Sequence, residues 1–293
     1  MSVFPTTILL ATDGSEDAVQ ATEAAADLAR RSGSELHLVH VWHDVPSPYA
    51  HAFVRRELRS QGQEILDEQV RKIDSTGVTV AGAHLRGGRT SDEVIKLSDE
   101  LDVGLLVVGS RGLGTVRRIL MGSHSEEIVH RSHVPVLVLR RGRGVWPPTQ
   151  VIIGEDFSDD AKRAGELAAS IGRLYGSQTL LIHALPDLPE VPPGETRSAL
   201  EELYGAREED KRRLESRASE LEAILESRPQ ITLTGGYPAA VILEAAQREE
   251  EPPLIAVGSR GIAGIRRTRL GSVSTKIVTA APGPVLVCPH VGE

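Results

Sequence analysis

The chain has a single cysteine, Cys288, so no disulfide can form within it. That fits a reducing compartment. It has no run of roughly 18 apolar residues and no basic segment leading into an apolar core at its start, so a soluble, cytoplasmic protein is expected, with no membrane partner. It lacks a basic surplus: the formal charge is −8, which argues against nucleic acid as a partner. A nucleotide ligand is not excluded, because one local ring of N–H donors can hold a phosphate on an acidic protein. Two well-known phosphate loops are also missing. There is no G-x-x-x-x-G-K-[ST], and no G-x-G-x-x-G follows the first apolar run.

What is present is globular: 40% of the 293 residues are apolar and 25% charged, enough for two domains of ordinary size. Apolar runs at 8–11, 36–42, 78–85, 105–108 and 134–139 suit strands buried on both faces. Stripes at helical spacing separate them, such as Ala18, Ala21, Ala25 and Leu28, with Ser15 placed to cap that helix and Gly33 to stop it. Strands alternating with helices predict an α/β fold of parallel βαβ units, doubly wound in the Rossmann-like manner. After a Gly- and Arg-rich stretch at 140–144 the chain begins again. Asp13-Gly14-Ser15 matches Asp156-Phe157-Ser158 at an offset of 143, and Gly109 matches Gly258 at an offset of 149. The second copy is longer at 186–228, a Pro-rich loop and a charged helix striped by Leu214, Ala218, Leu221 and Leu225. The many Glu and Arg residues of that helix read as a solvated face. So long a period means two whole domains, 1–142 and 148–293.

The most informative stretch is 107–138. Gly109-Ser110-Arg111-Gly112 ends an apolar run, nine residues follow, and Gly122-Ser123-His124-Ser125 opens a short amphipathic helix. The second copy repeats this as Gly258-Ser259-Arg260-Gly261, nine residues, then Gly271-Ser272-Val273-Ser274. Glycine lets the backbone turn and approach a ligand closely. The helix start offers unpaired N–H groups and the positive end of its dipole, and Ser123 and Ser125 add hydroxyl donors: an anion cradle of phosphate type. Ligands of open parallel sheets lie at the carboxyl ends of the strands, where the strand order reverses. At the first strand end stands Asp13, with Asp156 as its counterpart. An ionised Asp repels phosphate at close range and suits a hydroxyl or amino donor. A nucleotide with its ribose or base at Asp13 and its phosphates at 109–125 satisfies both ends.

The spacing G-x2-G-x9-G-[ST], the Asp after the first strand and the closing Val134-Pro135-Val136-Leu137-Val138 resemble those of the universal stress proteins, in the tandem form of the ATP-binding subgroup. The resemblance covers nearly the whole chain. It implies in each domain a five-stranded parallel sheet of order 3-2-1-4-5, with ATP as ligand and Mg2+ or Mn2+ on its phosphates. It also implies Ala11 and Val41 against the adenine, Asp13 at the ribose or base edge, and Gly109, Gly112, Gly122 and Ser123 along the phosphates. The second set is Gly154, Asp156, Ala184, Gly258, Gly261, Gly271 and Ser272. Arg111 and Arg260, with His124, Ser125, Val273 and Ser274, complete the candidates. Two departures make the two sites unequal: His124 stands where the family usually has Val, and Ala184 replaces the larger Val41. The role implied is a stress or dormancy sensor or regulator, with slow ATP hydrolysis at most.

Plainer readings stand beside these. Asp13 and Asp156 also fit turn or helix-capping positions, and the loop arginines fit a solvated surface. His40, His43 and His51, like His130 and His133, lie close in sequence but have no Cys partner, a weak metal signal. No nucleophile–base pair is visible. An adenylating enzyme of the ATP-pyrophosphatase type would need an S-G-G-x-D-S loop where Ala11-Thr12-Asp13-Gly14-Ser15 stands. A ligand-free dimerisation scaffold is the third class. The closing runs, 134–139 and 284–287, are apolar edges that need a cover. Each other within the chain gives an intrachain pseudo-dimer; a second copy gives a homodimer.

Overall fold

The computed structural model describes residues 4–43, 52–110, 123–140, 146–185, 196–260 and 270–290. The first half runs β1 (Thr7–Ala11), α1 (Val19–Ser32), β2 (Glu35–Trp42), α2 (Ala52–Asp74), β3 (Val80–Gly87), α3 (Thr90–Glu100), β4 (Leu105–Gly109), α4 (Ser123–Arg131) and β5 (Val136–Leu139). The second runs β6 (Gln150–Gly154), α5 (Asp159–Tyr175), β7 (Gln178–Leu185), α6 (Thr196–Leu225), β8 (Gln230–Gly235), α7 (Pro238–Gln247), β9 (Leu254–Gly258), α8 (Ser272–Ala280) and β10 (Val285–Cys288). The Ser15 hydroxyl accepts the Ala18 N–H ahead of α1, and Ser158 accepts the Ala161 N–H at the start of α5. Both helices end on a left-handed glycine, Gly33 and Gly176.

The ten strands form one sheet in the order β3-β2-β1-β4-β5-β10-β9-β6-β7-β8. Neighbours are parallel except at the middle, where β5 and β10 run antiparallel with Val138 opposite Val285 and Val136 opposite Val287. The apolar closing strands therefore cover each other within the chain, and all eight of their residues are buried. Each begins just after a proline, because Pro135 and Pro284 supply only carbonyls, to Leu106 and Ile255. The third strand lies two residues later than the run at 78–85 suggests. Its pairing with β2 extends to Trp42 opposite Gly87, past an irregularity between Leu36 and His37.

Helices cover both faces. One core layer lies under α1, α2, α5 and α6, and the other under α3, α4, α7 and α8; each runs through both halves. The stripe of α6 is buried as its spacing predicts. Cys288 is fully buried, and that burial pushes its thiol up to about 12, so it packs as a small apolar residue.

The two halves also meet at α1 and α5. The Arg31 guanidinium lies 4.7 Å from the centre of the Tyr175 ring and donates to the Leu174 carbonyl at 3.3 Å. Trp146, in the linker, meets Tyr175 edge-on at 5.4 Å. Burial alone would raise the Asp27 carboxyl, yet the facing Tyr175 hydroxyl and the charges of Arg30 and Arg31 hold it below the ordinary carboxylate range.

A depressed carboxyl stabilises the fold above its unfolded value and loses that contribution as pH falls through its folded value. Asp27→Asn should lower stability at neutral pH by about 1 kcal/mol and flatten the acid decline below about pH 4, as read by urea unfolding across pH. Val136→Lys, which sets a charge in the β5–β10 seam, should cost about 3 kcal/mol or more in the same assay. A variant as stable as the parent would contradict the buried seam.

Candidate functional site

In the second half β6 lies between β7 and β9, so the chain leaves neighbouring strand ends in opposite directions and opens a crevice. A cleft of about 520 Å³ lies there. Gly154, Asp156, Ala184, Gly258, Arg260, Gly271, Ser272, Val273 and Ser274 all line it. Gly261 lies outside the described residues, as do Arg111, Gly112 and Gly122 of the first half. Ala11, Asp13 and Val41 stand at or just past the ends of β1 and β2, Gly109 ends β4, and Ser123, His124 and Ser125 open α4.

The cleft floor depends on a close approach. A Cβ on Gly258 would lie 2.6 Å from the Ala161 amide nitrogen, so only glycine lets α5 start against the end of β9. The next residue, Ser259, takes its N–H to the Cys288 carbonyl at 2.7 Å and its hydroxyl to buried Asp160 at 3.1 Å. Gly271 in turn donates to the Ser259 carbonyl at 2.6 Å and stands just ahead of α8, which no side chain caps. The leading N–H groups and the dipole of α8 therefore end in the cleft.

The hydroxyls correct one expectation. Ser274 donates to the Gly258 carbonyl at 2.6 Å and Ser125 to the Gly109 carbonyl at 2.7 Å. With their protons committed to the strand ends, these serines fasten helix to strand. Ser123 and Ser272, both exposed, remain as hydroxyl donors.

The acidic end fits its plainer reading as well as the sharper one. Asp13 accepts the Ser15 N–H at 3.0 Å, and Asp156 accepts the Ser158 N–H at 3.0 Å while lining the cleft. In both turns the residue between is left-handed, Gly14 (φ 73°) in one half and Phe157 (φ 64°) in the other. Phe157 holds that strained conformation under the His183 ring, 4.5 Å away, and the Arg213 guanidinium, 4.0 Å away. Beside it is a residue that sequence reasoning missed. Glu155 is buried; its carboxylate accepts the Phe157 N–H at 2.7 Å and pairs with Arg217 of α6 at 3.1 Å. Burial raises its pKa, against the pull of the Phe157 N–H and of Arg217.

A repeated histidine was also missed. His183 donates from Nδ1 to the Glu155 carbonyl at 2.7 Å, as His40 does to the Thr12 carbonyl at 2.9 Å. The signal was readable, since the two stand at the same offset as Asp13 and Asp156. His40 is thereby a buried turn anchor. His51 lies outside the described residues, and among those described no group of three or more His, Cys, Asp or Glu surrounds a common point. Ser259, Asp160 and His290 share a triad's residue types but not its geometry. The imidazole bonds to Asp160 at 3.0 Å, while Ser259 Oγ accepts the His290 backbone N–H. The Ser259 hydroxyl donates to the Asp160 carboxylate rather than to an imidazole, so the serine–histidine pair of a triad is not formed.

The rims of the two sites differ. In the first half Arg89, at the start of α3, pairs with Glu127 of α4 at 2.9 Å, and the Ser91 hydroxyl, Arg131 and Arg89 hold that carboxyl below its ordinary range. In the second half the same positions carry Tyr237 and Lys276, with the ammonium 5.0 Å from the ring centre. The first turn of α4 holds Glu126, whereas that of α8 holds no acid. His43 and His124 face each other at the first site with ring centres 5.8 Å apart.

Comparison with known proteins follows the same division. The pattern of the universal stress protein family matches the chain twice, over 5–140 and 149–289. A universal stress protein of Mycobacterium tuberculosis is 27% identical over 307 residues, covering 96% of this chain and 94% of the relative. One of Thermus aquaticus is 32% identical over 134 residues, 46% of this chain but 98% of its own. The crystal structure of a universal stress protein from Archaeoglobus fulgidus matches with a TM-score of 0.71 and 26% identity, over 97% of this chain and 98% of that one. With one match on each half and little of the chain left outside them, the protein belongs to the universal stress protein family and carries two of its units in tandem.

Proposed function

We propose that this stress-response protein binds an adenine nucleotide, ATP, at the strand ends of each half, and acts as a sensor or regulator rather than a fast enzyme. The observation that carries the reading is the second cleft. An uncapped helix start lies on one side and Asp156 on the other, across a space of about 520 Å³, within the range of small-molecule sites. Phosphates fit the α8 end, where N–H groups and the helix dipole favour negative charge. The ribose or base fits Asp156, with Ala184 and Ile182 along the apolar wall. Mg2+ or Mn2+ would be held through the phosphates and water, for the described residues offer no cage of three acidic or histidine ligands. No helix among the described residues is long and apolar enough to cross a membrane, and the buried cysteine suits the cytoplasm.

The unequal rims make the second site the tighter one. Lys276 stands where the first half has Glu127, whose charge Arg89 and Arg131 already balance, so the second rim carries one cation more near its helix start.

Ser272→Pro removes one amide donor and the Ser272 hydroxyl from the first turn of α8, at a position where proline leaves a helix intact, and Ser272→Ala, which keeps the amide, reads the hydroxyl's share. The proline variant should weaken ATP about tenfold or more and leave adenosine unchanged, since a bond to a charged group is worth roughly 1.5–3 kcal/mol. Asp156→Ala should weaken both. Calorimetry reads these affinities, and an unchanged ATP affinity in Ser272→Pro would overturn the phosphate placement. Titration of the parent should resolve two steps. Lys276→Glu should weaken the tighter one by roughly tenfold, less so at high salt; equal weakening of both would contradict the assignment.

A further inference from the structure

A pair of histidines lies away from both clefts, on the outer strands of the first half. His37, the third residue of β2, and His84 of the edge strand β3 meet with Nδ1 and Nε2 3.2 Å apart and with their ring planes 26° from parallel. His37 is opposite Gly82, and His84 is opposite Val39, so the rings are diagonal neighbours on one sheet face. The site is about 13 Å along β2 from Val41, toward the other end of the sheet.

We propose that His37 and His84 form a binding site for a divalent transition metal of the Zn2+, Ni2+ or Cu2+ class. Three observations carry this. Two imidazole nitrogens, each about 2.05 Å from one ion at a tetrahedral angle, lie about 3.3 Å apart, close to the 3.2 Å seen here. The ion would take the place of the proton that the two rings share. The space beside both nitrogens is open because residue 82 is glycine. A Cβ there would sit 2.6 Å from His37 Nδ1 and 2.9 Å from His84 Nε2. The far nitrogen of His37 lies 3.8 Å from the exposed Glu35 carboxylate, so a negative charge stands beside the ring and favours a cation there. Imidazole suits Zn, Cu and Ni over Mg or Ca. With two protein ligands, water fills the remaining positions. The second half carries Leu180 and Thr232 at the matching places, so the site belongs to the first half alone.

The test uses the full chain, stripped with chelator and free of nucleotide, so its outcome is separate from that of the ATP reading. Titration with ZnCl2, NiCl2 or CuSO4 should show one equivalent bound at submillimolar metal or tighter and should raise Tm by a few degrees. His37→Gln and His84→Gln should each abolish that equivalent. Gly82→Ala, which keeps both imidazoles, should weaken it at least tenfold, and unchanged far-ultraviolet dichroism identifies variants that fold. With Cu2+, nitrogen couplings in the electron paramagnetic resonance spectrum of the parent should disappear in the double variant. No binding by the parent, or the same equivalent retained in His37→Gln/His84→Gln, would overturn the proposal.

Discussion

The end of β9 has no room for a side chain. Gly258 lets the first turn of α5 lie against the strand, with the Ala161 nitrogen where a Cβ would clash. From that approach the rest of the second site follows. Asp160 comes within reach of Ser259 and His290, so the end of β9, the residues after β10 and the start of α5 are tied together under the cleft. The Gly258 carbonyl takes the Ser274 hydroxyl, which fixes the first turn of α8 over the same strand end. A helix start is thus held open toward the crevice by bonds that do not use its own leading amides. The first half repeats the fastening through Ser125 and the Gly109 carbonyl.

Joining two such units through β5 and β10 solves a second problem. Each half alone would end on a short apolar strand, and each of those strands offers a backbone edge that invites association. Pairing them antiparallel buries both and merges the core layers across the seam. Duplication within one chain also frees the two sites to diverge. The Arg89–Glu127 pair and the Tyr237–Lys276 pair occupy equivalent rims that differ in net charge, balanced in the first half and positive in the second.

Much of this was legible in the sequence because it rests on local, repeated signals. Apolar runs between helical stripes gave the strands, and every described candidate of the second set lines one cleft. What stayed hidden depends on contacts distant in sequence. Glu155 and Arg217 look like ordinary surface charges in their own segments, and only the packing of α6 against the end of β6 buries them. Phe157 offers no hint of a left-handed conformation except through its alignment with Gly14. Composition cannot say where a hydroxyl points, so Ser125 and Ser274 read as ligand donors rather than fasteners. His37 and His84, 47 residues apart, meet only because β2 and β3 are neighbours.

The central claim is that backbone amides at a helix start take the phosphates while a carboxylate across the cleft takes the sugar end. A crystal structure of the protein grown with ATP tests it most directly. The account predicts phosphate oxygens within hydrogen-bonding distance of the leading N–H groups of α8, and the ribose or base against Asp156. Nucleotide bound elsewhere, or seated in the cleft with its phosphates turned away from α8, would contradict it.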